Sequence, residues 1–296
     1  MSVKNKFFTS LVLLSLTSSV VLAQSNTAEL PPLAVTASEK KLKIDETIQE
    51  IFDEKSLLQA QDIYQLLDKA YYYQDSLDTQ DFANKKGRYQ QSLTLMKKLG
   101  LSVEQMSEKI KNGAFSAITK YTEEVDGKDN KKAARSTQWY SIINSYLYNK
   151  EKKQVPLNTE YEEYVTQLDN ELKQLPLLNG FLLRGTAYSE EQLKQLKNKM
   201  QLSSPAYLST SLDIGDAVAF RELAFKSGKK EGKIRTLLIL KARGHIINVN
   251  GEFANEEEVL IERNSSFSIK KIYEHIVEDD QSGDKEKYVY IFAEQN

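Results

Sequence analysis

Between residues 255 and 269 the chain reads NEEEVLIERNSSFSI. Residues 258–261 and 266–272 have the length and the β-branched or aromatic content of strands. Three glutamates, Glu256, Glu257 and Glu258, run straight into the first of them. Residues two apart in a strand point the same way, so Glu256 and Glu258 share a face if the strand begins that early, with Glu257 on the other side. Two carboxylates on one face can split roles, with one anion stabilising developing positive charge while the other activates a nucleophile.

Outward from this stretch, the character of the chain changes after Pro176. Segments 181–183, 206–208, 234–240, 245–249 and 287–293 are also short and strand-like, interrupted by amphipathic helical segments at 189–200 and 214–226. Before Pro176 the periodicity is helical. Ile48, Ile51, Phe52, Leu57, Leu58, Ile63, Leu66 and Leu67 recur at helical spacing, and Gly100 is a plausible stop. A capping box, Ser102 with Gln105, opens a helix over 103–122, and further helices are predicted at 139–148 and 159–175. Helices first and strands afterwards predict an α+β fold with a mixed or antiparallel sheet.

The 296 residues suit one large domain, or a catalytic domain with a smaller extension. A net charge of −2 lacks the basic footprint of a nucleic-acid binder, so no nucleic-acid partner is expected. The start, MSVKNKFFTSLVLLSLTSSVVLAQS, has the layout of a secretory signal peptide: two lysines, an apolar run and small residues ending at Ala23. The run is too short and too broken by Ser and Thr for a membrane anchor. Residues 1–23 are therefore predicted to be cleaved and the mature protein secreted, with 24–39 as a polar, proline-containing linker. There is no cysteine, so the exported chain depends on its core rather than on disulfides and does not depend on thiol oxidation state, which permits action in a host cytosol. Two histidines and no cysteine make a structural zinc site an unpromising reading.

The candidate chemical groups lie in order along the second half: Arg184 after Phe-Leu-Leu, Ser209-Thr210-Ser211 after Tyr-Leu, and Glu256 with Glu258 before Val-Leu-Ile. An arginine there suits a phosphate, through its planar fork of donors. Taken singly, each group has an ordinary reading. Arg184 can be a surface cation, Ser-Thr-Ser a turn or helix cap, and the glutamates a solvated face.

Together the set resembles the mono-ADP-ribosyltransferase toxins of the Arg–Ser–Glu class, including the clostridial Rho-modifying exoenzymes and the binary actin-modifying toxins. The motifs are Leu183-Arg184-Gly185, Leu208-Ser209-Thr210-Ser211 and Glu256-Glu257-Glu258-Val259-Leu260. Ala117-Ile118-Thr119-Lys120-Tyr121-Thr122 is similar to the helical segment that frames that family's cofactor cleft. The resemblance covers about 110–275 and implies a mixed or antiparallel β-sandwich-like transferase core, assigned to 103–296; the helical pattern before it is read as an N-terminal lobe over 40–102. The resemblance also implies NAD as co-substrate and a route that requires no metal; a monomer is expected. Arg184 would bind the NAD phosphates. Ser209 would position the nicotinamide riboside and orient the catalytic glutamate, with Thr210 and Ser211 supporting the strand. Glu258 would bind the ribose hydroxyl and stabilise the oxocarbenium-like centre, and Glu256 would engage the acceptor. Glu-x-Glu in this family goes with an arginine acceptor, hence a host protein bearing that arginine. In the preceding turn, Phe253 is either an exposed recognition aromatic or a packing residue. Phe220 or Phe225 either lies against nicotinamide or packs in the core.

Two other readings use the same residues: an NAD glycohydrolase with water as acceptor, and an exported, non-catalytic binding protein on this fold. Protein labelling separates the first from a transferase, and NAD binding separates the second.

Overall fold

The computed structural model describes residues 37–69, 113, 115–122, 139–175, 177–228, 231–247, 258–278 and 285–296. The predicted signal peptide, residues 24–36 of the linker, residues 70–102 of the helical lobe, the Ser102–Gln105 capping box, the 250–255 turn with Phe253, and Glu256 lie outside these residues.

Helices dominate up to Leu175: α1 (Ala37–Phe52), α2 (Ala60–Tyr64) running into a π-helical turn (Gln65–Lys69), α3 (Ser116–Thr122), α4 (Trp139–Glu151) and α5 (Thr159–Leu172). The helical spacing read for the first of these holds for Ile48, Ile51, Phe52, Ile63 and Leu67, all buried. It fails for Leu57, 92% exposed in the link between α1 and α2. α5 begins where the Asn158 side chain accepts from the Tyr161 amide at 3.2 Å. It buries Tyr164, Val165, Leu168 and Leu172 on one face.

The second half alternates β1 (Leu177–Tyr188), α6 (Glu190–Lys199), β2 (Gln201–Ser204), β3 (Leu208–Ser211), α7 (Ile214–Gly228), β4 (Ile234–Ile246), β5 (Glu258–Ile261), β6 (Ser265–Glu278) and β7 (Lys285–Gln295). β1, β3, β5 and β4 pair antiparallel in a cycle. From β4 the sheet continues through parallel β7, then antiparallel β6 and β2. The fold is α+β with a mixed sheet, as predicted.

Residues 248 and 249 lie outside the described residues, but the strand expected at 234–240 and residues 245–246 of the one expected at 245–249 belong to one strand, β4. Its ladder with β1 runs unbroken from Tyr188↔Ile234 to Leu177↔His245, so the polar Lys241-Ala242-Arg243-Gly244 stretch stays in register. Gly244 is needed there, because a Cβ on it would stand 2.7 Å from Val259 Cγ1 and 3.0 Å from the Leu260 carbonyl oxygen of β5. Ala206 and Tyr207, read as strand, instead lead into β3, and β2 has no counterpart in the sequence prediction.

Both faces of the sheet are covered. Along β4, Leu238, Leu240 and Ala242 join one buried cluster with Leu193 of α6, while Leu237 and Ile239 join another. The continuous apolar run in β4 follows from this double burial. The second cluster contains Ile48, Ile51, Phe52, Ile63 and Leu67, so α1 and α2 pack on the sheet itself. Helices α3, α4 and α5 form a third cluster around Tyr207 and Leu260.

Candidate active site

β3 is the strand that gathers the site. Its Ser211 pairs with Leu183 on β1 and with Glu258 on β5, while Ser209 stands opposite Leu260 and Thr210 opposite Val259. The arginine strand and the glutamate strand are thereby set on either side of one four-residue strand.

Arg184 is half-buried, and its Nη1 donates to the Ser209 carbonyl oxygen at 2.6 Å, tying the guanidinium across to β3. The next residue explains the Arg-Gly pair. A Cβ on Gly185 would stand 1.8 Å from the Ala217 carbonyl oxygen and 2.3 Å from the Arg221 amide, so α7 lies directly on the β1 backbone. Thr210 is 4% exposed, and its hydroxyl donates to the Val259 carbonyl at 2.6 Å, which locks β3 to β5. Ser211 Oγ accepts from the Asp213 amide at 2.9 Å, and Asp213 Oδ1 accepts from the Gly215 and Asp216 amides at 2.7 and 3.1 Å. The cap of α7 therefore falls to Asp213, with Ser211 bracing it.

A fourth group completes the cluster. Tyr121 on α3 is 1% exposed, and Asn144 Nδ2 donates to its hydroxyl at 3.0 Å. Burial and the nearby Glu258 carboxylate push the Tyr121 pKa well above the ordinary phenol range. The hydrogen bond from Asn144, the Arg184 charge and hydrogen bonding with Ser209 act in the opposite direction. Three of the residues singled out from sequence thus act on one buried phenol. α3 is held in place by the buried Glu171 of α5, whose carboxylate oxygens accept from the Ala117 and Ile118 amides at 3.1 and 2.9 Å. The Tyr164 hydroxyl also donates to the Ala117 carbonyl at 2.7 Å.

In the sequence Tyr121 stands out only as part of a framing segment, and Asn144 does not stand out. The available signal for Asn144 is a polar residue beside the buried Ile143, Tyr146 and Leu147 of α4. Its Oδ1 is buried with no hydrogen-bond partner among the described residues. An acceptor left so costs roughly 1–3 kcal/mol unless a ligand or water meets it.

The two aromatics on α7 separate. Phe220 is 46% exposed, whereas Phe225 lies beneath the Arg235 guanidinium, 3.7 Å from its ring centroid. Arg235 is itself held by Glu222 at 2.8 Å and Glu286 at 3.2 Å, so Phe225 already has a stacking partner. Among the described residues no group of three or more His, Asp or Glu stands together as a metal site would.

Over residues 103–293 the sequence matches the ADP-ribosyltransferase exoenzyme family. The chain belongs to that family. It is an NAD-using transferase, and the residues just described lie within the matched stretch. Solved structures similar to this exoenzyme include the Vis toxin of Vibrio splendidus, at 22% identity over 66% of this chain and 84% of that one, with a TM-score of 0.35. HopU1 of Pseudomonas syringae is 17% identical over 66% and 88%, with a TM-score of 0.45. Plx2a of Paenibacillus larvae is 18% identical over 64% and 96%, with a TM-score of 0.37. No curated protein matches the chain.

Tyr121→Phe keeps the ring and removes the hydroxyl that accepts from Asn144 and lies beside Ser209 and Glu258. The expected result is a rise in KM for NAD of about tenfold, the size of one lost hydrogen bond. Steady-state nicotinamide release checks it.

Proposed function

We propose that this ADP-ribosyltransferase is exported through residues 1–23 and transfers ADP-ribose from NAD to an arginine of a host protein, releasing nicotinamide. The observation that supports this most is β3, which brings Arg184, Ser209 and Glu258 onto three adjacent strands beside Tyr121. The linker at 24–39, the helical lobe at 40–102, a catalytic domain at 103–296 and a monomeric state belong to the same proposal.

Arg184 meets the NAD phosphates through its planar fork of donors. Ser209 positions the nicotinamide riboside, with Thr210 and Ser211 keeping β3 in place, and the exposed Phe220 is the better placed of the two aromatics to lie against nicotinamide. As the glycosidic C–N bond breaks, nicotinamide leaves with the bonding electron pair and positive charge grows on the ribose. The Glu258 carboxylate meets that charge, which lowers the barrier more than it stabilises the neutral sugar. A guanidine nitrogen of the acceptor then bonds to the ribose carbon, and its proton passes to Glu256. Phe253 presents the acceptor from the preceding turn. The positive charge is met by a carboxylate, so this route uses no metal.

The test uses residues 24–296 with NAD labelled on its adenylate half, added to eukaryotic cell extract beside a Glu258→Ala protein. Label on a discrete host protein at arginine, absent with the variant, supports the proposal. Glu258-dependent nicotinamide release without protein label would mean an NAD glycohydrolase, and no NAD binding at all would mean a non-catalytic protein. Glu256→Gln gives a finer check. It is expected to cut transfer to arginine by about 10²-fold, in the range of a lost general base, while nicotinamide release stays within a few-fold. Equal losses in both reactions would remove Glu256 from acceptor activation.

A further inference from the structure

We propose that Asp68, N-terminal to the stretch that matches the family, is a positioning residue for the transferase site, and that residues 44–69 are a working part of the catalytic unit. The inference rests on the functional reading above only in taking NAD as the substrate whose KM is measured.

Asp68 is fully buried and Arg221 is 1% exposed. Arg221 Nη1 donates to Asp68 Oδ2 at 3.0 Å and Nη2 to Oδ1 at 2.5 Å, a two-pronged pairing that fixes orientation as well as distance. The Tyr290 hydroxyl donates to the same Asp68 Oδ2. On its other side Arg221 donates from Nε and Nη2 to Glu222 Oε1 at 3.1 and 3.0 Å, and the Tyr288 ring lies beneath the guanidinium, 5.0 Å to its centroid. Asp68 sits in the π-helical turn Gln65–Lys69, where it and its neighbour Leu67 are both fully buried: Leu67 in the apolar cluster on the sheet, Asp68 against Arg221.

The residue that Asp68 grips is, with Ala217, one of the two α7 residues that touch the backbone at Gly185. The Arg221 amide and Cα would lie 2.3 and 2.9 Å from a Cβ on Gly185, the neighbour of Arg184. One step back along α7 is Phe220, and the helix is capped by Asp213, which is tied to Ser211 at 2.9 Å. A turn of α7 about its axis would therefore disturb the seat of Arg184, the aim of Phe220 and the end of β3 together. Ion pairs buried this completely are often no more stabilising than apolar residues of the same shape, but the fork prescribes one orientation where an apolar contact permits several. What Asp68 supplies is the azimuth of α7.

The test measures nicotinamide release against NAD concentration, with thermal unfolding alongside, for the full chain, Asp68→Asn, and the double variant Asp68→Leu with Arg221→Met. Positioning predicts that Asp68→Asn raises KM for NAD by about tenfold, a loss equal to one substrate hydrogen bond, with kcat within about threefold. The double variant is expected to regain thermal stability but to keep the raised KM. Recovery of both stability and KM in the double variant would make the pair a packing element only and overturn the proposal, as would an unchanged KM in Asp68→Asn. Should Asp68→Asn fail to fold, the double variant decides. A wild-type protein that consumes no NAD sinks the functional reading instead, whereas an active wild type with insensitive variants sinks only the role of Asp68.

Discussion

Glu258→Gln is expected to slow nicotinamide release by about 10³-fold, the upper range for removing one preorganised charge-stabilising group, with KM for NAD nearly unchanged. The substitution keeps the volume and planarity of the side chain at the first position of β5, where Glu258 pairs with Ser211, so the strand should stay in place. What it removes is the full negative charge. In the ground state the positive charge lies on the nicotinamide pyridinium ring and the ribose is neutral, while in the oxocarbenium-like transition state that charge has moved onto the ribose that faces the carboxylate, so the loss falls on kcat. The measurement is steady-state release with a thermal melt as control. A kcat within about tenfold of wild type, with an unchanged melt, would mean that another group meets the developing charge.

The second large effect is structural. Gly185→Ala places a methyl group 1.8 Å from the Ala217 carbonyl oxygen and 2.3 Å from the Arg221 amide, both backbone atoms of α7 with no side-chain freedom to yield. The helix must lift from β1 or β1 must bow. Overpacking against a rigid element costs about 3 kcal/mol or more, which for a domain of this size lowers Tm by about 10 °C. Because Arg184 is the adjacent residue and Arg221 is the contact, the surviving folded protein should also bind NAD more weakly. Calorimetry and NAD titration check the two halves separately. An unchanged Tm would show that α7 does not seat on β1 as described.

These two positions also mark how far local sequence carries. Arg184 and Gly185 follow an apolar run that reads as strand, and Glu258 opens another, so their placement on strands is legible from side-chain pattern alone. The partner of each strand is not. Period-two alternation says which side chains share a face, not which strand lies alongside, and so the pairing of Ser211 with both Leu183 and Glu258 is visible only in three dimensions. The same limit splits β4 into two expected strands. A lysine, an arginine and a glycine within four residues look like a loop unless the long β1 that holds them in register is known to be there. Leu57 misleads in the other direction: its helical spacing predicts burial, but the chain turns between α1 and α2 and leaves it in solvent.

Residue order alone establishes the class of the fold, through the change from helical to strand periodicity after Pro176, and the identity and order of the chemical groups Arg184, Ser209 and Glu258. Those are properties of side-chain chemistry and short-range spacing, written wherever a residue stands. Three-dimensional packing adds that Tyr121 and Asn144 join those groups, that Phe225 is already stacked under Arg235 while Phe220 is open, and that Asp68 reaches Arg221. Asp68 and Arg221 are 153 residues apart in the chain. Neither has a neighbour whose type announces the other, because a buried pairing of this kind is fixed by how helices and sheet pack against one another and leaves no periodic trace in either segment.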